Sequence, residues 1–291
     1  MRRTRAAAIL LLVVTLAASA PSARGRTAAV AFARVVVIVF ENKEASAVLG
    51  SPAAPTFNAL ARRYAVLTNY VGVAHPSLPN YLALVSGSTQ GVTSDCADCV
   101  VAARNLADTI EASGRTWKTY AEGLPAPGFT GASAGRYAKK HDPLVYFRDV
   151  LASRSRLRRI VPLSDFARDL AADDLPDFSL VVPDLCHDMH DCSVATGDAW
   201  LRTFLSPLLR SRALRDGVVF VVFDEGSAGD TTGGGGRVPA LVLGPLVRPG
   251  ARSARRLDHL SLLRTIEDAW HLPRLGDSSS AAPILGIWRA R

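Results

Sequence analysis

Two runs of six apolar residues, Val35–Phe40 and Val218–Phe223, constrain this chain more than any other feature. Valine, isoleucine and phenylalanine fill both without a polar interruption. A β-branched run with no alternation is the pattern of a strand buried on both faces, as in a parallel sheet covered by helices. Each run ends on a polar pair, Glu41-Asn42 after the first and Asp224-Glu225 after the second. In open α/β sheets ligands bind just outside the carboxyl ends of the strands. The two pairs are therefore the first candidates for a functional site.

The remainder alternates between extended and helical patterns. Phe178–Val182, closed by Pro183, together with Trp117–Tyr120 and Ala240–Leu243, reads as further strands. Phe57, Leu60, Ala61 and Tyr64 follow helical spacing, as do Ala103, Leu106, Ala107 and Ile110, with Gly114 as a stop signal. Trp200, Leu201, Phe204, Leu205, Leu208 and Leu209 form another apolar helix face, with Asp198 near its start. Leu262, Leu263, Ile266, Ala269 and Trp270 form a closing one. This order predicts an α/β fold, a mostly parallel sheet sandwiched between helices. Leu124–Gly135, rich in Gly, Pro, Ala and Ser, reads as a loop over the site. Gly229–Gly236 holds five glycines and two threonines but lacks the lysine and helix of a P-loop, so it reads as a flexible surface excursion.

The N-terminus has the layout of a secretory signal. Arg2, Arg3 and Arg5 precede the apolar stretch Ala6–Ala17, and small residues lead to a cleavage site after Ala23. Removing residues 1–23 leaves 268 of the 291 residues, enough for one domain, 24–291, with no transmembrane segment. Three arginines leave with the signal, so the formal charge falls from +8 to +5. That balance attracts anions without naming one. Aromatic residues make up only 7% and form no stacking platform, which argues against nucleic acid. The run Arg154-Ser155-Arg156-Leu157-Arg158-Arg159 reads as a solvated loop, in preference to a contact with an anionic membrane. Four cysteines allow three pairings, of which Cys96/Cys99 with Cys186/Cys192 needs the least loop closure. A redox pair at Cys96/Cys99 and a zinc site from Cys186, His187, His190 and Cys192 are the alternatives; an exported chain favours disulfides.

Ser77 is the candidate nucleophile. Pro76 and Pro79 stiffen the approach to a helix through Tyr81–Ser86, and a serine at a helix N-terminus meets free N–H groups that favour phosphate and alkoxide. No Gly-x-Ser-x-Gly elbow surrounds it, against an esterase. Serine needs activation, and Glu41, Asn42, Asp224 and Glu225 offer the hard oxygen atoms of a divalent metal site. His190 is a candidate proton donor to the leaving oxygen, and His259 sits where the last helix begins. His75, His187 and His271 read as structural.

These segments together resemble the secreted phosphoesterase family of bacterial acid phosphatases and phospholipases C, a branch of the alkaline phosphatase superfamily. The residues that carry the resemblance are Phe40-Glu41-Asn42, the stretch from His75 to Leu84, Arg136–His141, Asp188–Asp191, Gly197–Leu201, Asp224-Glu225 and Asp258-His259. The resemblance implies an alkaline-phosphatase-like fold and one divalent metal held by Glu41, Asn42, Ser77, Asp224 and Glu225, with Asp188 the first extra ligand for a second. It further implies that Asn80 contacts the phosphoryl group and that His141, His190 and His259 line its pocket. The implied reaction is hydrolysis of phosphomonoesters through a phosphoseryl intermediate, with a phosphoinositide headgroup at a membrane surface as one candidate substrate. The chain lacks the C-terminal extension of the larger phospholipases C, which favours a phosphatase over a phosphodiesterase. Asp184 departs from the Asn that relatives often carry. A thiol–disulfide exchange protein and a non-catalytic surface-binding protein are the readings from other classes.

Overall fold

The computed structural model describes residues 31–290. The expected signal segment, residues 1–23, lies outside the described residues. The central sheet has eight strands in the spatial order Arg252–Ser253, Ala65–Leu67, Ala240–Leu243, Gly217–Phe223, Arg34–Phe40, Phe178–Val182, Trp117–Ala121, Ile160–Pro162. The two valine-rich runs are neighbours at its centre, paired in parallel from Arg34 with Gly217 to Phe40 with Phe223. Phe178–Val182 flanks Arg34–Phe40 in parallel on the other side. Only Ala240–Leu243 runs against the rest of this sheet.

All seven residues of Gly217–Phe223 are buried, as a strand covered on both faces requires. Phe40 stacks on Phe223 (ring centroids 5.2 Å apart) and meets Phe57 and Trp200 edge-on, which ties the central strands to the helices Pro55–Arg63 and Val194–Leu208. Asp198 sits inside the second of these helices. Its carboxylate accepts from the amides of Thr56 and Phe57 and so caps the first turn of the other helix. On the opposite side the helix Ser77–Ser86 packs against His259–Trp270. Among the described residues no helix is long and apolar enough to cross a membrane.

Three surface expectations change. The arginine run is not a solvated loop: residues Arg154–Leu157 form a short helix, and Arg156 is ion-paired with Asp108, Glu111 and Asp149. The glycine-rich segment is packed rather than loose. Gly235 N donates to Gly72 O and Gly72 N to Gly236 O, and a Cβ on Gly235 would lie 2.4 Å from Ala74 O. Its glycines allow backbone to lie on backbone. Leu124–Gly135 is not wholly irregular: Gly128 N donates to Ile160 O of the edge strand, and Ser133–Ala134 pairs antiparallel with Tyr137–Ala138. Both local cysteine pairs, Cys96–Cys99 and Cys186–Cys192, are disulfides, so those sulfurs are closed to zinc.

Candidate active site

The sheet's hydrogen bonding runs one step past the strand ends. Asp224 N donates to Phe40 O at 2.9 Å, and Glu41 N donates to Asp188 O at 2.9 Å. Three carboxylates from three segments are thereby set side by side. Glu41 is fully buried, and Asp188 and Asp224 are each 1% exposed.

Ser77 opens the helix Ser77–Ser86 and points its hydroxyl at this cluster. Oγ donates to Glu41 Oε2 at 3.0 Å and lies 3.4 Å from Glu225 Oε1. One turn along, Tyr81 donates its hydroxyl to Glu41 Oε1 at 2.6 Å. The Tyr81 ring stacks on His141, centroids 5.4 Å apart and 15° from parallel. His141 stands between two acids, with Nε2 3.3 Å from Glu41 Oε1 and Nδ1 3.2 Å from Asp188 Oδ2. These are ion-pair distances without hydrogen-bond alignment: His141 Nε2, Asp188 Oδ2 and Asp224 Oδ2 are all buried with no hydrogen-bond partner.

Buried polar atoms are seldom left unpaired. Here the electrostatics explain what they lack. Burial raises the Glu41 carboxyl well above its ordinary range, and Asp224 and Asp188 push it further. Burial likewise lifts Asp188 to about 8, Asp224 to about 6 and Glu225 to about 7, the last helped by the charge of Asp224. Burial, then the charges of Lys140 and His190, holds His141 well below its usual value, hence neutral. Crowded carboxylates ionise together only beside a cation, and a neutral imidazole with a free lone pair completes such a donor set. The residues present fit a divalent metal ion. Glu41, His141 and His190 bring one ligating atom each within 4.8 Å of one another.

The pocket wall carries one well-held cation. Lys140 Nζ lies 2.9 Å from Asp95 Oδ2 and 3.3 Å from His190 Nε2. Burial disfavours its charge, but the hydrogen bond and charge of Asp95 outweigh that and raise its pKa. Asp95 Oδ1 also accepts from Leu78 N, at the start of the serine helix. His190 is fixed on its other side by Asp191, 2.6 Å from Nδ1.

Comparison with known proteins agrees with this geometry. Residues 44–273 match the group described as the Phosphoesterase family. The chain belongs to the phosphoesterase family. It is 38% identical over 260 residues to a phosphatidylinositol-3-phosphatase of Mycobacterium tuberculosis, spanning 88% of this chain and 83% of that one. It is 31% identical to a probable acid phosphatase of Kluyveromyces lactis over 88% of this chain, but spans only 62% of that relative's length. Among solved structures, a protein of the alkaline phosphatase superfamily from Vibrio parahaemolyticus superposes with a TM-score of 0.61 at 15% identity, over 89% of this chain and 72% of that one. The phosphonate monoester hydrolase of Agrobacterium radiobacter gives 0.57 at 14% identity, over 82% and 74%. At such identities the shared property is the alkaline-phosphatase-like fold.

Within this phosphoesterase two of the expected pocket residues are hydrogen-bonded to neighbouring protein groups. Asn80, expected to contact the phosphoryl group, is bonded within its own loop. Its Oδ1 accepts from Val73 N and Ala74 N, and its Nδ2 donates to Ala74 O and Pro76 O, which pins the loop leading into Ser77. His259 is similarly engaged at both nitrogens, Nδ1 by the Tyr70 hydroxyl at 3.0 Å and Nε2 by the Asp224 carbonyl at 2.6 Å. It braces the backbone carbonyl of Asp224. Asn42 lies at the rim in a left-handed conformation (φ 54°); its N–H donates to Asp224 Oδ1 and its side chain faces Glu41 Oε2.

Sequence reasoning gave no role to Tyr81, Lys140 or Asp95, and set His75 aside. His75 Nδ1 is ion-paired with Glu225 Oε2, and its Nε2 lies 3.0 Å from Asp230 O, so it orients a site carboxylate. Its place two residues before Ser77 was the available signal. A second group on the same rim, Glu122, Asp184 and His187, is satisfied internally: His187 Nδ1 lies 2.9 Å from Glu122 Oε2, and Asp184 Oδ1 accepts from the amides of Cys186 and His187.

Proposed function

We propose that this protein is an exported, metal-dependent phosphomonoesterase of one domain, in which Ser77 is the nucleophile. The observation that carries this reading is the Ser77 hydroxyl at the N-terminus of its helix, hydrogen-bonded to Glu41 in a cluster with three unpaired buried ligating atoms. One divalent ion is the reading, held by Glu41, Asp224 and Ser77, with Asn42 and Glu225 beside them and His141 and Asp188 presenting their unpaired atoms. Bound there, it would favour the deprotonated Ser77 Oγ and neutralise phosphoryl oxygens.

The chain's own groups do the rest. Ser77 gives up its proton along the hydrogen bond toward the Glu41–Glu225 pair. Oγ bonds to phosphorus while the bond to the leaving oxygen breaks. His190 returns a proton to that oxygen. Its Nε2 accepts from Lys140 in the resting arrangement, so it takes that proton from solvent, which its 27% side-chain exposure allows. Water then displaces Ser77 and releases phosphate. Asn80 and His259 act as positioning residues for the serine loop and for Asp224. The mycobacterial relative's name makes a phosphoinositide headgroup at a membrane surface the natural substrate to test, and the acid phosphatase relatives support a monoester over a phospholipase C-type diester.

Ser77→Ala is expected to abolish hydrolysis of p-nitrophenyl phosphate while the circular dichroism spectrum stays unchanged. Near-normal turnover in that variant would refute the nucleophile. Faster hydrolysis of bis-p-nitrophenyl phosphate than of the monoester by the unaltered protein would move it to the phosphodiesterases.

A further inference from the structure

We infer that Lys140 binds the second negative charge of the substrate's phosphoryl group and thereby sets the preference for monoesters over diesters. The inference rests on the phosphoesterase reading of Ser77 and adds a specificity residue to it.

The lysines near the site point in different directions. Lys139 turns its Nζ away, to Ala97 O at 2.7 Å and over the ring of Tyr146. Lys43 is tied to Met189 O at 2.9 Å. Lys140 alone of the three is bound to groups of the pocket itself, Asp95 and His190. Its side chain is 23% exposed, and the charges of Glu41 and Asp224 act on its ammonium, so it is both near the buried acids and open to solvent.

Its position is built, not incidental. Asp95 spans Leu78 N and Lys140 Nζ with its two oxygens, so the ammonium is referenced to the N-terminus of the helix that carries Ser77. Residue 95 is steadied in turn by the adjoining Cys96–Cys99 disulfide and by the bond from Lys139 to Ala97. An ammonium has three donors. Asp95 and His190 take two, leaving one for a phosphoryl oxygen.

A phosphomonoester dianion carries its second charge on a nonbridging oxygen. In a diester that oxygen bears an ester group with no charge and more bulk. A fixed cation at this point therefore favours the monoester and discriminates against the diester. Removing one preorganised contact to a transition-state oxygen typically lowers turnover by about 10²–10³-fold.

The test compares kcat/KM for p-nitrophenyl phosphate and bis-p-nitrophenyl phosphate in the full-length processed protein, Lys140→Gln and Lys140→Arg. Lys140→Gln should lower the monoester value by about 10²–10³-fold and the diester value by less than about tenfold, with inhibition by inorganic phosphate weakened in parallel. Lys140→Arg should restore most of the monoester preference. Asp95→Asn, which leaves the lysine in place but loosens it, should move the ratio the same way by a smaller factor, and it stands in if Lys140→Gln does not fold. An unchanged monoester-to-diester ratio, or an unchanged phosphate inhibition constant, would overturn the assignment. Silence of the unaltered protein on both esters would instead refute the phosphoesterase reading on which it rests.

Discussion

Tyr81→Phe isolates the support of the proposed metal site from everything else the residue does. The ring, with its stacking on His141, is kept, and only the hydroxyl that donates to Glu41 Oε1 at 2.6 Å is lost. A short O–H to carboxylate bond in a buried setting is the strong kind, contributing about 1.5–3 kcal/mol. That corresponds to about 10–150-fold in an equilibrium constant. The bond is strongest when Glu41 is ionised. Glu41 is buried and raised well above the usual carboxylate range by burial, then by Asp224 and Asp188, so the proposed cation would be what ionises it. The loss should therefore appear in cation affinity. After chelation, p-nitrophenyl phosphate hydrolysis is followed at stepped concentrations of divalent ion, beside a calorimetric titration. The expected result is a 10–100-fold weaker cation dependence, roughly the usual cost of losing a ligand's hydrogen-bonding partner. At saturating cation, kcat should stay within about threefold, by the same reasoning that the reacting geometry is untouched. A lower kcat with unchanged cation dependence would refute the reasoning and put Tyr81 on the substrate.

Gly235→Ala would bring a Cβ to 2.4 Å from Ala74 O and 3.0 Å from Ala74 N, forcing the backbone that leads to Ser77 to shift. It should cost about 1–3 kcal/mol and lower kcat more than KM, while unchanged Tm and kcat would contradict the packing argument. Asp142 is wholly buried, and burial lifts its carboxyl to about 7. Its folded state keeps a proton the unfolded state has lost, so the stability it contributes is complete below about pH 4 and falls as pH rises through 7. Asp142→Asn cannot ionise and should gain on the unaltered protein over that window, up to roughly 4 kcal/mol, in urea melts; parallel pH profiles would contradict it.

The central strands and the acids behind them were legible because burial on both faces leaves a mark in composition: Val35–Phe40 and Val218–Phe223 admit few other readings. The site's accessory groups were not, because their roles are set by partners far along the chain. Asn80 looked free at the start of a helix until the loop 73–76 folded back onto its amide. Lys140 carried no sign that Asp95, 45 positions away, would hold it. His259 was expected in the phosphate pocket from the resemblance alone, and nothing in the sequence signalled that Tyr70 and Asp224 would bond its two nitrogens. Glycine content suggested looseness at 229–236, where the physical reason for glycine is close backbone approach.

The site's residues are held by two different means, the sheet and the two disulfides. Glu41, Asp224 and Glu225 extend from strands and are in place once the sheet closes. Asp188 and His190 sit inside the loop that Cys186–Cys192 cinches, and Asp95 adjoins Cys96–Cys99. Closing the loop from Cys186 to Cys192 removes roughly 2 kcal/mol of chain entropy, freedom that a reduced chain keeps. A reduced chain would thus keep the acids carried by the sheet and lose the covalent loop that places Asp188 and His190.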